Sequence, residues 1–487
     1  GVTGVSGNGN WTVNGTVDGT VVIASASNSQ TLYGNADGDS ITVTAGNSNL
    51  LGAGNGAGDQ ITVNTGNFNT LVLGDGAGDM LTAGTTTTAS ENNTLHAGNG
   101  ANDVLSVNTG DGNLLSAGNG DGDQLTVGSG NGNALHVGSG SGDMLYVGTG
   151  DDSCLLSTDL ATNAAGNLLE VGTGMCNSLA AGDANGDVVE VGSGDDNTLS
   201  AGAGAGDQLS VQSGNNNCLT AGDGAGDVGT LGSGDSNSVQ LGNGDGDSIA
   251  LGTGNCNTLQ LGNGAFDFII GQSGDGNALI LGDGTTDTAE MVSGNNNLLC
   301  LGNGYNDFAF VGTGNGNQLF TGNGDADELT VQSGNNNLEV AGSGNGDILY
   351  GPVGTNNVLA ALGAGATIYA GGSGVAGTSS NDAFFLSTAG TSTLSGASAD
   401  LTGTTVANFW QSDALDFTDI NAATASLSFT QNQGGGMLTV TDGTNTASLE
   451  LLGQFSASGF SDQSDGAAGT VVAYTPTQNQ QPIFAHA

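Results

Sequence analysis

From about residue 35 to residue 360, apolar side chains recur at every second position in short bursts, and each burst ends in a glycine-rich run. The stretch GNGDGDQLTVGSGNGNALHV, residues 118–137, is representative. In QLTV and ALHV the alternation has period two, which predicts strands buried on one face. GNGDGD and GSGNGN supply residues that accept positive φ and close tight turns. Strand, turn, strand, turn makes one coil of twenty residues, written as two decapeptides: G-x-G-x-G-D-x-L-x-V and S-G-N-x-N-x-L-x-L/A-G. Stacked coils predict an all-β fold, a right-handed parallel two-sheet β-solenoid around a thin Leu/Val/Ile core. Counting from Asp39/Asn49 to Asp347/Asn357 gives about seventeen coils, on the order of 80 Å at the usual strand spacing.

The phase is unusually regular. Two four-residue insertions, in GTTTTASENN and TDLATNAAGN, interrupt it, and it resumes after each, as when extra residues bulge from a turn. Leu338-Glu339-Val340 inverts the in/out order and predicts a local bulge. Past Asn357 the decapeptide ends. The expected organisation is therefore an N-terminal cap of irregular coils (1–34), the solenoid (35–370), a linker around GGSGVAGTSS (371–380), and a C-terminal β domain (381–487). Within the last, residues 436–452 read as two strands joined by DGTN.

Residues twenty apart lie above one another, so the repeat predicts a column of Asp along one edge and of Asn along the other. The chain has 47 acidic residues and no Lys or Arg. Carboxylates about 4.8 Å apart repel by roughly 1 kcal/mol in water and several times that near the protein, so stacking calls for an external cation. All-oxygen donors with no His or Cys nearby point to several Ca2+ ions. The expected ligands are Asp39, Asp59, Asp79, Asp103, Asp123, Asp143, Asp187, Asp207, Asp227, Asp247, Asp267, Asp287, Asp307, Asp327 and Asp347. Second acids in the same turns, Asp37, Asp121, Asp245 and Asp325, join them. Asp also suits turns for conformational reasons alone. The Asn column either hydrogen-bonds to itself, as amides do in cross-β ladders, or takes metal through turn acids such as Asp151 and Asp195.

The turn GNGDGDQLT is similar to the nonapeptide of the repeats-in-toxin (RTX) β-roll family, G-G-x-G-x-D-x-U-x. The resemblance covers roughly residues 35–360 and implies that Asp123 binds calcium between stacked turns and that Leu125 fills the core. This chain departs from the family in its ten-residue unit, its alternate glycines and its Asn-bearing turns. TVANFWQSDALDFTDI (405–420) and GGGMLTVTDGTNTASLELLGQFSASGFSDQSDGAAGTVVAY (434–474) resemble the C-terminal regions of proteins exported by bacterial type I secretion. That implies an uncleaved C-terminal signal and folding driven by calcium outside the cell.

The composition excludes other roles. Without Lys or Arg there is nothing to neutralise nucleic-acid phosphates or to form a polybasic membrane patch, and no run is long and apolar enough to insert in a membrane. No basic segment leading an apolar one predicts a Sec-type signal. His96 and His136 are expected on a solvated face, His486 near the chain's end, and no nucleophile accompanies them, so an enzyme is not expected. The five Cys have no metal-binding spacing, and Cys176 and Cys256, four coils apart, are too distant for a disulfide. Between residues 266 and 320 the outward positions turn apolar: Phe268, Ile270, Ile280, Phe308, Phe310 and Phe320, with Phe266 and Tyr305 in adjoining turns. A stripe of that size predicts an interface, with a second copy or with the C-terminal segment folded back. The expected function is a secreted bacterial structural protein, extracellular or at the cell surface, that binds calcium and self-assembles into a fibre, matrix or surface layer. The alternative is a calcium-dependent adhesin, with a surface polysaccharide as partner.

Overall fold

The computed structural model describes residues 5–6, 12–15, 19, 21–25, 28–85, 88–158, 166–372 and 378–476. It falls into two compact units, residues 1–244 and 245–487. Each is built on two parallel β-sheets in a β-solenoid, and the turns number about 19.

In the first unit, strand Gln124–Ser129 lies parallel between Val104–Thr109 and Met144–Thr149, with Leu125 opposite Leu105 and Leu145. In the other sheet Ala134–Val137 lies between Leu114–Ser116 and Cys154–Ser157, with Leu135 opposite Leu115 and Leu155. Like thus stacks on like. Leu125, Val127, Leu135 and Val137 are buried, at most 1% exposed, and a fully buried side chain of this kind contributes about 1.5–3 kcal/mol. The insertions leave the register intact: Met80 pairs with Val104 and Met144 with Leu168. Residues 86–87 and 159–165 of those insertions lie outside the described residues.

The second unit repeats the scheme, Ile249 opposite Ile269 in one sheet and Leu259 opposite Leu279 in the other. Its parallel pairing does not stop with the decapeptides. Val358–Ala361 pairs with Ala383–Phe385, which pairs with Thr405–Ala407. Ala366–Tyr369 pairs with Ser392–Gly396, which pairs with Ala414–Phe417. Residues 381–417, expected to open a separate domain, therefore continue the coils. The physical reason is that the inward apolar positions persist (Ile368, Phe384, Leu394, Val406 and Leu415) after the glycine-rich turn chemistry has been lost. Upstream, Val21–Ser25 and Thr31–Gly34 also pair in parallel with their successors. These extensions at both ends raise the turn count above the seventeen counted from decapeptides.

From residue 426 the pairing becomes antiparallel, except where Thr446–Leu452 runs parallel to Thr405–Ala407. Ser426–Gln431, Gly435–Thr441 and Thr446–Leu452 form a meander with the expected DGTN turn. Phe460–Ser464 and Thr470–Tyr474 form a hairpin. The meander joins one sheet at Thr405/Glu450 and the hairpin joins the other at Leu415/Val472. Phe429, Phe455, Phe460 and Tyr474 pack together beneath them, ring centroids 4.9–5.9 Å apart. Of the expected linker, residues 373–377 lie outside the described residues, as do most of residues 1–27 and the tail from 477, His486 included.

Candidate cation site: two buried polar columns

Every decapeptide enters its strand through one polar residue, and that side chain points under its own turn. No Asp of the series is more than 1% exposed and no Asn of the series more than 2%, in either unit. The reason is parity. Asp123 is two residues before Leu125 and four before Val127, so the alternation that buries the leucine buries the aspartate too.

The amides of the Asn column are satisfied by one another and by glycine carbonyls beside them; Ser153 holds one place in the column, its Oγ buried without a partner. Asn197 donates its backbone N–H to Asn217 Oδ1 (2.9 Å) and its amide Nδ2 to the same oxygen (3.1 Å) and to the Gly174 carbonyl (3.1 Å). In the second unit Asn337 bonds to Asn357 in the same two ways. This is the amide ladder that was one of the two expectations for that edge.

The Asp column copies half of this arrangement. Asp59 N donates to Asp79 Oδ1 (2.9 Å), Asp103 N to Asp123 Oδ1 (2.9 Å) and, in the second unit, Asp307 N to Asp327 Oδ1 (3.0 Å). The other carboxylate oxygen stands where the amide nitrogen stands in the Asn column. A β-carbon on Gly66 would lie 1.8 Å from the Gly46 carbonyl oxygen and 3.1 Å from Asn69 Nδ2, which donates to that carbonyl at 3.0 Å. A β-carbon on Gly76 would lie 1.7 Å from the Gly56 carbonyl oxygen and 3.0 Å from Asp79 Oδ2. An acceptor thus takes a donor's place there, and a side chain at Gly76 would clash, although alanine holds the equivalent position in two coils, as Ala36 and Ala184. Oδ2 is buried without a hydrogen-bond partner in Asp59, Asp79, Asp103 and Asp123 of the first unit. The same holds for Asp267, Asp287, Asp307 and Asp347 of the second.

The electrostatics follow. Burial pushes Asp123 up to about 7, only partly offset by the Asp103 N–H, and the neighbouring carboxylates Asp143 and Asp103 push the same way. Asp267 and Asp307 reach about 7, and Asp59, Asp103 and Asp347 about 6, burial leading in each case. One member of the column is already an amide. Asn167 sits between Asp143 and Asp187, bonded to both through the backbone-to-Oδ1 pattern, and gives its Nδ2 to Ser157 Oγ at 2.9 Å.

Asp37, Asp121, Asp245 and Asp325 do not join their partners under the turn but are exposed. They belong to outer columns, where each accepts a backbone N–H from the following coil: Ala57, Ser141, Ala265 and Asn345 respectively. Another outer column on the same edge, through Asp75, Asn99 and Asn119, and one on the Asn edge, through Asn295, Asn315 and Asn335, work likewise. Sequence reasoning missed these, although the same twenty-residue tracking exposes them. Among the described residues no three His, Cys, Asp or Glu side chains converge as a metal cluster. What the column offers a cation is a line of hard oxygens, the Asp Oδ2 atoms and the glycine carbonyls beside them. That donor chemistry fits Ca2+, with few ligands from any one turn.

The expected apolar stripe is divided. Phe268, Ile270, Phe308 and Phe310 lie on one sheet, with Glu290 between Ile270 and Phe310. Ile280 and Phe320 lie on the other, flanking Cys300. Phe266 and Tyr305 stand at turn tips, 66% and 58% exposed. Tyr350 and Tyr369 stack face to face at 4.8 Å, so that their edges point outward. His96 and His136 are in one outward column two coils apart, and His136 is half-buried. The five cysteines are free.

Leu338-Glu339-Val340 makes no bulge. The strand Leu338–Ala341 stays in register, Glu339 opposite Leu319 and Leu359, and the carboxyl is buried in the core. The correction has the same cause as the buried Asp column: Asn337 fixes the parity, and Glu339 shares it.

No protein family model matches this chain, and neither do any curated protein or any solved structure.

Proposed function

We propose that this chain is a secreted calcium-binding structural protein that self-assembles into an extracellular fibre, matrix or surface layer. The observation that supports this most is the Asp column. Buried carboxylate oxygens without hydrogen-bond partners, in a chain without Lys or Arg, are stabilised by positive charge taken from solution. Calcium-rich surroundings outside a cell supply it, and a calcium-poor cytoplasm withholds it. The Asp Oδ2 atoms and the adjoining glycine carbonyls hold the ion, whose charge turns repulsion between coils into attraction. Regular stacking, with backbone and side chains bonded coil to coil, favours a load-bearing role. The exposed Phe266 and Tyr305 are the contacts through which copies associate.

The test is metal-stripped protein at neutral pH, followed by circular dichroism and electron microscopy before and after calcium is restored. A lower melting temperature and loss of assembled particles on stripping, both recovered with calcium, are expected. Unchanged β-structure, melting temperature and assembly after stripping overturn the calcium reading. Monodisperse monomers in millimolar calcium overturn assembly, and the double variant Phe266→Ser/Tyr305→Ser should then differ in nothing from the parent.

A further inference from the structure

Glu339 is a core residue with the wrong chemistry. In its sheet of the second unit, the successive inward positions are Leu259, Leu279, Leu299, Leu319, Glu339 and Leu359. Its side chain is fully buried and neither carboxyl oxygen has a hydrogen-bond partner. Its neighbours Leu338 and Val340 are left half-exposed on the outward face. Sliding this strand by one residue would turn both of them inward and Glu339 out. What opposes the slide is the amide ladder. Asn317 N donates to Asn337 Oδ1 (2.9 Å), and Asn337 donates to Asn357 Oδ1 from N (2.9 Å) and Nδ2 (3.2 Å).

We propose that the strand Leu338–Ala341 is a two-register switch, set by whether Glu339 carries a proton. The ladder favours one register and the apolar pattern the other, and the carboxyl decides between them. As a neutral acid it is tolerated inside and the ladder holds. As a carboxylate it has no partner inside and the chain has no Lys or Arg to supply one, so the strand moves to place it in water.

The surroundings reinforce the proton. Of the strands packed on this one, Gln318–Phe320 and Val358–Ala361 carry no titratable group. Glu328–Ser333 and Ile348–Tyr350 carry Glu328 and Tyr350, both facing outward. Asp382, which accepts the Asn357 N–H in the next turn, adds negative charge. Burial first, then Asp382, raises the Glu339 carboxyl well above its ordinary range.

The test compares the full chain with E339L and E339Q by amide hydrogen exchange at residues 338–341 and 358–361 from pH 5 to pH 9, corrected for intrinsic rates. In the parent, the opening equilibrium should rise about tenfold per pH unit between the unfolded and folded carboxyl pKa values. E339L and E339Q should lose that contribution and keep only the shallower pH dependence that the Asp column gives all three proteins. Equal opening in parent and both variants across the range overturns the proposal. To separate a slide from fraying, Leu338→Cys is placed in a chain whose native cysteines are serine, with and without E339L, and labelled with a maleimide. Relative to the E339L background, labelling should be lost as pH rises and position 338 turns inward. A gain in labelling means the strand frays and overturns the two-register switch.

Discussion

Asn and Asp have nearly the same shape, and the two columns give them the same pose. What differs is whether the outer atom donates. Asp123→Asn should therefore complete the ladder locally, and it should stabilise the metal-free protein at pH 7.5 by about 1–2 kcal/mol, read as a higher melting temperature in chelator. Asn167 shows that the column accommodates an amide. The converse, Asn217→Asp, should destabilise by about 1–3 kcal/mol under the same conditions. The pH dependence follows from the raised carboxyls. Because Asp123, Asp267 and Asp307 hold their protons to about 7 when folded, the folded chain binds more protons than the unfolded one between about pH 4 and pH 7. Its stability without metal is then full in mild acid and falls as pH rises through that window, by up to about 1.4 kcal/mol per pH unit for each group. Urea unfolding in chelator at several pH values measures the slope, and calcium should flatten it. The burial of these aspartates was legible in the sequence, since Asp123, Leu125 and Val127 share one parity. Reading Asp as a turn residue hid this.

At the scale of the coil, backbone approach dictates composition. A methyl group on Gly76 would lie 1.7 Å from the Gly56 carbonyl, so Gly76→Ala should destabilise the first unit by about 3 kcal/mol. Leu135→Ala, in the core of the same unit, should cost about 2–5 kcal/mol through its cavity. Comparing the two by urea unfolding tests whether turn closure matters as much as core filling. Strand positions, pairing direction and the harmless insertions were all readable from period two nested in period twenty. The coils beyond Asn357 were not. Their turns vary in length, as the 25-residue step from Asn357 to Asp382 shows, and a search keyed to glycine spacing loses them while the inward Phe384, Val406 and Leu415 carry the stack on. Glu339 was noticed and misread, because hydrophobic order was given more weight than the ladder.

For the molecule as a whole, a charge of −47 and an isoelectric point near 4.1 divide between two environments. The outer acids lie in water, where a Debye length of about 10 Å at 0.1 M salt weakens their repulsion. The buried column is out of reach of that screening. Sodium chloride at neutral pH should therefore raise the melting temperature of stripped protein only slightly, whereas calcium or mild acid should raise it much further. Equal effects of sodium and calcium at matched ionic strength would mean that the charge problem lies at the surface.

The buried amide ladder also governs how this protein ages. Asparagine followed by glycine is prone to lose its amide through a cyclic imide, and the exposed Asn131-Gly132 and Asn315-Gly316 pairs have that sequence. Asn133 and Asn317, two residues on, are followed by Ala134 and Gln318, and their hydrogen bonds restrain them from cyclising. Slow hydrolysis should accumulate in the outer columns and spare the inner one. Each inner amide that did hydrolyse would give an acid-indifferent edge a buried carboxyl like those of its opposite, one least costly when it holds a proton.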